Sequence, residues 1–291
     1  MPASAPRVLV RGGTVRRGWR RRPPRCAFVL GGGGNRGAVQ VGMLRVLLGA
    51  GVTPDLLVGA SAGAINAAAI AGRPTLDGVE RLAAAWKAIR DETIFPHHHY
   101  SEWRFIQRRE SVFPSSALRG VIEEFLTYRL LEEAEVPVEV VASCLGSGRE
   151  RWLTSGPAVE ALLASAAIPG IFPPITIDGD VLIDGGVLND VPVARAFSRG
   201  AERVLALLAG PVEPPPVEIG RPVDALLAAF SVAVRGRFVR EMETVPRGRQ
   251  LVVIGTDIPD LEGYWDFSRT EELMLAGEQA ARAALDHLTH D

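Results

Sequence analysis

The sequence predicts an α/β protein of three layers, α/β/α, with a mostly parallel central sheet. From Arg25 onward, short apolar runs alternate with longer segments whose apolar residues recur at helical spacing, which is the pattern of strands joined by helices. Glycine-rich turns follow the first two apolar runs, and each opens a helix. Both observations favour βα units, in which helices cover the two faces of the sheet.

Each predicted element has a local signal. The strands are short apolar runs bounded by glycine, proline or polar residues, and the helices have apolar residues every three or four positions. The predicted strands are 26–30, 56–59, 136–142, 151–153, 175–177, 181–183, 203–208 and 250–255. The predicted helices are 38–48, 62–71, 76–90, 115–127, 158–167, 192–199, 222–243 and 270–288. Asp178-Gly179 predicts a hairpin turn, and the irregular residues 91–114 are expected to form a surface excursion able to cover a site.

We expect one domain, residues 25–291, preceded by a basic and disordered tail at 1–24. A chain of 291 residues is long enough for one large α/β core. Residues 1–25 carry eight arginines and no acid, whereas the chain has a formal net charge of −2, so the rest sums to −10. A protein that binds nucleic acid normally carries positive charge on its folded body. The acidic body therefore indicates that nucleic acid is not a partner.

The sequence predicts neither a signal peptide nor a transmembrane helix. No apolar stretch reaches the roughly 18 residues that a spanning helix needs, and only Cys26–Leu30 separates the arginine-rich start from the glycines. These features predict a cytoplasmic protein. An anionic membrane surface would attract the basic tail by about 1 kcal/mol per arginine near it, so peripheral membrane contact stays open.

A serine with glycines two positions to either side follows the second predicted strand and opens a helix, in the segment Gly59–Gly63. Such a turn holds the serine in a strained backbone conformation and pushes its hydroxyl out of the fold. Small residues are needed because the strand and helix backbones crowd there, and the helix N-terminus favours negative charge nearby. Ser61 is therefore predicted to be a nucleophile. The alternative is that it only caps the helix.

The turn GGGGNRG lies between the first strand and its helix and contains G-x-G-x-x-G at Gly32, Gly34 and Gly37. Dinucleotide-binding folds share this pattern but place an acid about 20 positions on, at the end of the second strand. Asp55 precedes that strand, so it would lie at the wrong edge of the sheet. Beside a nucleophilic serine, consecutive glycine N–H groups can instead form an oxyanion hole, with added charge from Arg36.

Asp184, followed by Gly185 and Gly186, ends a predicted strand. A residue at a strand end lies at the sheet edge where α/β proteins bind ligands, although a turn aspartate is a common alternative. Of the five histidines, only His287 and His290 follow this aspartate, and both lie in the last five residues, at a chain end that tends to fray. An aspartate acting directly on Ser61 is then the economical base.

The three motifs together resemble those of the bacterial patatin-like phospholipases, which are marked in order by G-G-G-x-[KR]-G, G-x-S-x-G and D-G-[GA]. The matching segments are Gly32–Gly37, Gly59–Gly63 and Asp184–Gly186. The segment ASAAIPG with the FPP that follows also resembles the part of this family ahead of its aspartate. The resemblance covers residues 26–193.

The resemblance implies a patatin-like fold and a lipid acyl hydrolase of the phospholipase, lysophospholipase or esterase type. Ser61 would attack the ester carbonyl, and Asp184 would take its proton and then activate water. Gly33 and Gly34, with Arg36, would stabilise the oxyanion. No metal and no organic cofactor is implied, and the substrate would be a lipid or another acyl ester. The glycines that support the motifs are Gly32, Gly37, Gly59, Gly63, Gly185 and Gly186.

Two other functions stay open at this point. One is an esterase with a serine–histidine–aspartate triad in which His287 is the base. The other is a non-enzymatic module that binds a nucleotide at the glycine-rich turn. The sequence predicts no particular oligomeric state.

Overall fold

The computed structural model describes residues 7–11, 26–89, 113–213, 222–243, 245–258 and 266–289. The strands in these ranges are β1 (Arg7–Arg11), β2 (Cys26–Leu30), β3 (Leu56–Ala60), β4 (Val138–Cys144), β5 (Arg149–Leu153), β6 (Ile175–Ile177), β7 (Asp180–Asp184), β8 (Arg203–Leu207) and β9 (Gln250–Gly255). The α-helices are α1 (Ala38–Gly49), α2 (Ala62–Ala71), α3 (Leu76–Ala88), α4 (Ser116–Phe125), α5 (Ala158–Ser165), α6 (Gly186–Asn189), α7 (Val193–Ser198), α8 (Pro222–Glu243) and α9 (Thr270–Thr289). Every predicted strand and helix is present, with ends within two residues of the prediction.

The strands of this part of the chain form one sheet in the order β1-β9-β8-β2-β3-β4-β7-β6, and β5 also pairs with β4. The five strands from β9 to β4 are parallel, whereas β1, β5, β6 and β7 run antiparallel to their neighbours. The predicted α/β class with a parallel central sheet is confirmed, and the sheet as a whole is mixed.

Helices cover both faces of this sheet and complete the three predicted layers. Along β2, Phe28 and Leu30 pack in the core on the side of α1, α2, α3 and α9, while Ala27 and Val29 pack in the core on the side of α7 and α8. All four side chains are fully buried. A strand buried on both faces needs apolar residues at every position, which explains its continuous apolar run.

The pairing of β4 brings the ends of two other strands together. Val141 pairs with Ala60 of β3 and with Trp152 of β5, so β3 and β5 lie along opposite edges of β4. The next residue, Ala142, pairs with β5 and with Asp184 of β7. β3 and β7 therefore share one edge of β4, run towards each other, and meet at their carboxyl ends.

Asp184 reaches this edge for a different reason from the one predicted. β7 runs antiparallel to β4, so its carboxyl end points the opposite way from those of the parallel strands. β4 continues to Cys144, beyond the last paired residue of β3, and β7 pairs along that extension. The predicted hairpin turn is present and connects β6 to β7. Asp178 and Gly179 have φ values of 51° and 85°, as a two-residue turn of this type requires.

The prediction of a disordered tail at 1–24 is wrong for one segment. Arg7–Arg11 forms β1 and pairs antiparallel with residues Leu251–Gly255 of β9. Without this strand β9 would be a sheet edge with unpaired backbone groups. The sequence RVLVR supplies residues that suit an added strand, and Leu9 packs against the core on the side of α7 and α8. The other residues of 1–24 lie outside the described ranges.

The excursion predicted at 91–114 lies outside the described residues except for Phe113 and Pro114. Phe113 is buried, and its N–H donates to the carbonyl of Ile171 at 3.0 Å, which anchors the end of this segment beside the loop after α5. Among the helices given above, none combines the length and the apolar character needed to cross a membrane.

Candidate active site

Ser61 lies on the turn between β3 and α2 with φ 51° and ψ −127°, a conformation that is strained for a residue with a side chain. Gly59 and Gly63 allow the backbones around it to pack closely. A Cβ on Gly59 would lie 2.5 Å from the Cα of Ala64, and a Cβ on Gly63 would collide with the carbonyl oxygen of Leu30. The structure thus has the strained serine turn that the sequence predicts.

The Ser61 hydroxyl donates a hydrogen bond of 2.7 Å to Oδ2 of Asp184. Both residues are buried, with 6% and 5% of their surface exposed. The hydroxyl oxygen accepts no cap bond from the backbone of α2, so the alternative of a mere helix cap is not what the structure has. A serine bonded to a carboxylate can give up its proton while its oxygen attacks an electrophile.

The backbone around Asp184 fixes its carboxylate. Oδ1 accepts a hydrogen bond of 2.7 Å from the N–H of Gly186, and the Asp184 N–H donates to the carbonyl of Ala167 at 2.9 Å. A Cβ on Gly185 would collide with the carbonyl oxygen of Val141. The two glycines of this motif therefore supply one hydrogen bond and one close approach to β4.

Burial raises the pKa of Asp184 to about 7, because the charged form loses the hydration that it would have in water. Hydrogen bonds from Ser61 and from the Gly186 N–H oppose this rise, and the negative charge of Asp190 adds to it. A carboxylate whose pKa is near neutral can both accept and return a proton at neutral pH.

No sequence pattern assigned a role to Ser165, which ends α5. Its hydroxyl oxygen accepts the Ser61 N–H at 2.9 Å, and its carbonyl accepts the Gly185 N–H at 3.1 Å. Ser165 is fully buried. One residue therefore holds the backbone on both sides of the Ser61–Asp184 bond. In the sequence, only its place in the segment ASAAIPG pointed to it.

The glycine-rich turn packs directly against the serine. A Cβ on Gly32 would lie 2.5 Å from Oδ1 of Asp190 and 3.2 Å from the Cβ of Ser61, so a glycine is needed for this close approach. The Gly31 N–H donates to the carbonyl of Leu207 at 3.1 Å, which ties the start of the turn to the end of β8.

Gly33 and Gly34 present backbone N–H groups at this turn. Gly34 has φ 58°, begins the 3-10 turn Gly34–Gly37, and lines a pocket beside Ser61. Within the described ranges, neither N–H group donates to a backbone carbonyl. Arg36 is half-buried, and its N–H donates to the Gly33 carbonyl at 3.2 Å. The oxyanion role of Gly33, Gly34 and Arg36 stays a prediction.

Asp190 is a second carboxylate at the site that the sequence did not indicate. Its Oδ1 accepts the Gly32 N–H at 3.0 Å, and a Cβ on Gly186 would lie 3.0 Å from the same oxygen. Asp190 therefore lies between the glycine-rich turn and the Asp-Gly-Gly motif. Burial raises its pKa to about 6, and the bond from Gly32 opposes the rise. In the sequence, the signal that could have pointed to Asp190 was an acidic residue shortly after the Asp-Gly-Gly motif.

The position of Asp55 argues against the nucleotide-binding hypothesis. Its carboxylate accepts the N–H of Cys26 at 2.7 Å, at the amino end of β2. The glycine-rich turn follows the carboxyl end of the same strand. The two lie at opposite edges of the sheet, as predicted, so Asp55 cannot reach a ribose bound at the turn.

The triad hypothesis places a histidine between the serine and the aspartate. In the structure the Ser61 hydroxyl bonds directly to the Asp184 carboxylate, which leaves no room for an imidazole between them. His97–His99, His290 and the side chain of His287 lie outside what the structure describes.

An apolar pocket that is partly open to solvent adjoins Ser61. Helices α3 and α4 contribute Leu82, Trp86 and Leu118, and the loop after α5 contributes Phe172. Binding sites of this kind hold apolar groups and use a few polar atoms to orient them. The pocket therefore fits an acyl chain whose carbonyl lies at the serine.

An α/β/α fold with a serine on a strained turn, bonded to a buried carboxylate beside an apolar pocket, has the features of a serine ester hydrolase. The family model described as patatin-like phospholipase matches residues 28–197, which is more than half of the chain. The chain belongs to this family. The matched residues contain all three glycine motifs.

Several known proteins are similar to this chain over more than half of its length. A patatin-like phospholipase domain-containing protein of Caenorhabditis elegans is 30% identical over 192 residues, which cover 64% of this chain and 14% of that protein. An NTE family protein of Mycobacterium bovis is 30% identical over 185 residues, 63% of this chain and 49% of that one. VipD from Legionella pneumophila is 15% identical with a TM-score of 0.49, over 91% of this chain and 67% of that one. This chain thus spans about half the length, or less, of these curated relatives.

Replacing Asp190 with asparagine is expected to shift the pH dependence of Ser61 reactivity to lower pH. With Asp184 as the predicted base, reactivity requires its carboxylate form and falls as the pH drops through the Asp184 pKa of about 7. Removing the neighbouring negative charge lowers that pKa, while asparagine still offers an oxygen to Gly32. The measurement is the rate of fluorophosphonate labelling between about pH 5 and 9. Asp180→Asn is the control. If the inflection of the pH–rate profile in Asp190→Asn is unchanged or lies at higher pH, the negative charge of Asp190 does not raise the pKa of Asp184.

Ser165→Ala is expected to slow fluorophosphonate labelling of Ser61 by about 5- to 10-fold, because a buried neutral hydrogen bond contributes about 1 kcal/mol. The free energy of unfolding should fall by about 1–3 kcal/mol, since the Ser61 N–H loses its acceptor in the interior. Ser198→Ala, at an exposed position on α7, is the control. A labelling rate equal to that of the unchanged protein would show that Ser165 does not position the serine.

Proposed function

We propose that this chain is a serine hydrolase of lipid acyl esters, with Ser61 as the nucleophile and Asp184 as the base. The observation that carries the proposal is the 2.7 Å hydrogen bond between the Ser61 hydroxyl and the buried Asp184 carboxylate. Membership of the patatin-like phospholipase family supports the same chemistry. Phospholipases, lysophospholipases and general esterases all cleave carboxylic esters and fall within the proposal.

In the first step, Ser61 Oγ attacks the ester carbonyl carbon while its proton moves to Asp184 Oδ2. The tetrahedral intermediate collapses, the proton passes to the leaving alcohol, and an acyl-serine remains. In the second step, Asp184 takes a proton from water, and the water oxygen attacks the acyl-serine. The fatty acid leaves and the proton returns to Ser61 Oγ. A pKa of about 7 suits Asp184 to both transfers.

The negative charge on the carbonyl oxygen would be bound by the N–H groups of Gly33 and Gly34, with Arg36 adding positive charge. The place of Gly34 in the pocket wall at Ser61 supports this role. Preorganised donors of this kind each accelerate acyl transfer by about 10²- to 10³-fold. The N-terminus of α2, directly after Ser61, adds a favourable dipole.

The apolar pocket would hold the acyl chain of the substrate. Each buried CH₂ group contributes about 0.8 kcal/mol, so a chain that extends into the pocket binds more tightly as it lengthens. Val121 and Phe125 of α4 line the pocket and are only half-buried, which leaves apolar surface at its accessible side. Because lipid esters reside in membranes and micelles, the proposal includes peripheral contact with a lipid surface there.

Ser61→Ala and Asp184→Asn are each expected to lower kcat for a p-nitrophenyl acyl ester by at least about 10³-fold. The first change removes the nucleophile, and the second removes the base while it keeps the side-chain shape. Circular dichroism checks that both variants stay folded. His287→Ala is the matched control and should keep the kcat of the unchanged protein. Loss of activity in His287→Ala would favour the triad, and activity retained in Asp184→Asn would rule out Asp184 as the base.

Ala85→Phe is expected to lower kcat/KM for p-nitrophenyl dodecanoate and to spare the butyrate ester. Ala85 lines the pocket from α3, so a phenyl ring there occupies the space of distal methylenes, each worth about fourfold in binding. Ala84→Phe, at the adjacent exposed position of α3, is the matched control and should behave as the unchanged protein. An equal effect on both esters, or no effect, would count against the acyl role of the pocket.

A further inference from the structure

Three polar side chains lie buried beneath the glycine-rich turn, each on a different helix: Gln40 on α1, Asn66 on α2 and Trp86 on α3. Gln40 and Asn66 are fully buried, and Trp86 is 6% exposed. We call this group the buried polar cluster. None of the three takes part in the proton transfers described above.

Gln40 holds the start of the turn. Its Nε2 donates to the carbonyl of Gly31 at 2.7 Å and to the carbonyl of Leu207 at 3.0 Å. The Leu207 carbonyl also accepts the Gly31 N–H. Gly31 is therefore fixed through both its N–H and its carbonyl group.

Asn66 holds the other end of the turn. Its Nδ2 donates to the carbonyl of Gly37 at 3.0 Å and to Oε1 of Gln40 at 2.9 Å, while its Oδ1 accepts the indole N–H of Trp86 at 2.8 Å. Every amide hydrogen of Gln40 and Asn66 is thus used, as buried polar groups require.

The cluster connects the turn to the pocket. Trp86 lines the pocket beside Ser61, and a Cβ on Gly37 would lie 2.9 Å from the Trp86 ring. Through Asn66 and Gln40, the pocket wall is linked to both ends of the turn by hydrogen bonds.

A turn of this composition needs such support. Five of the seven residues in GGGGNRG are glycines, which have no side chain to hold their peptide planes and the largest conformational freedom. An oxyanion hole works only when its N–H groups already point at the developing charge. A buried amide pair is costly unless it is fully bonded, and apolar residues would fill the same space without that requirement. Within the turn, the cluster bonds the carbonyls of Gly31 and Gly37, one at each end.

We propose that Gln40 and Asn66 are positioning residues that hold both ends of the glycine-rich turn, so that the N–H groups of Gly33 and Gly34 face the oxyanion. Trp86 completes the cluster and couples it to the acyl pocket. This inference rests on the proposed function, because it assigns the parts that orient the oxyanion hole of that same site.

The test uses Gln40→Met, which keeps the length of the side chain and removes both donated hydrogen bonds. Active sites are counted by fluorophosphonate titration, and kcat is expressed per titrated site. We expect kcat per site to fall by about 10- to 100-fold, with KM within about twofold. Inhibition by a trifluoromethyl ketone, which forms an oxyanion on Ser61, should weaken by the same factor as kcat/KM.

Gln250→Met is the matched control. Gln250 is also a buried glutamine, and its Oε1 accepts a hydrogen bond of 2.7 Å from Arg203. It lies at the amino end of β9, whereas the site lies at the carboxyl ends of the parallel strands. We expect it to lower the unfolding temperature and to leave kcat per site unchanged. A purely structural role for Gln40 would produce the same result in Gln40→Met, and that result would overturn the proposal.

Gln40→Glu provides a second variant of the same shape. As a neutral acid it can donate one of the two hydrogen bonds, so its kcat per site should fall between those of Gln40→Met and the unchanged protein. If Gln40→Met does not fold, Gln40→Glu decides: a kcat per site equal to that of the unchanged protein overturns the proposal. If the unchanged protein is not labelled at Ser61, the proposed function fails and this inference fails with it.

Discussion

The structure depends on one contact between two buried polar groups, the hydroxyl of Ser61 and the carboxylate of Asp184, 2.7 Å apart. A carboxylate in an apolar interior is costly unless donors satisfy it. Here one oxygen accepts the serine hydroxyl and the other accepts the Gly186 N–H. These two hydrogen bonds offset only part of the cost of burial, so the pKa of Asp184 is still raised to about 7. The feature that makes the aspartate expensive to bury is therefore the feature that suits it to act as a base.

The glycines of the three motifs follow from how closely backbones approach around this contact. A side chain at Gly63 or Gly185 would collide with a neighbouring carbonyl, and one at Gly32 would crowd Ser61. With side chains excluded at these positions, the turns present backbone groups, and the side chains that bond to those groups are buried behind the turns. Ser165 and the buried polar cluster carry out this support from α1, α2, α3 and α5.

The sequence was informative wherever the signal was local. Strand and helix positions follow from apolar spacing within a few residues, and Gly59–Gly63 defines its own turn, so these predictions hold. Pairing between distant segments has no such signal. The backbone of β9 attracts Arg7–Arg11, which composition alone assigned to a disordered tail, and β7 reaches the site from the direction opposite to the parallel strands. Ser165 and Asp190 were missed for the same reason, because each bonds a residue more than 100 positions away.

By itself, the sequence determined the α/β class and the serine turn, and it predicted Asp184 as the partner of Ser61. These depend on residue type and short-range spacing, which the chain order records. Only the tertiary structure decided that β3 and β7 meet end to end along β4, that the two side chains bond directly, and that amide groups on α1 and α2 support the glycine-rich turn. Those outcomes depend on which distant strands pair and on how closely the buried elements pack. Local residue patterns predict neither.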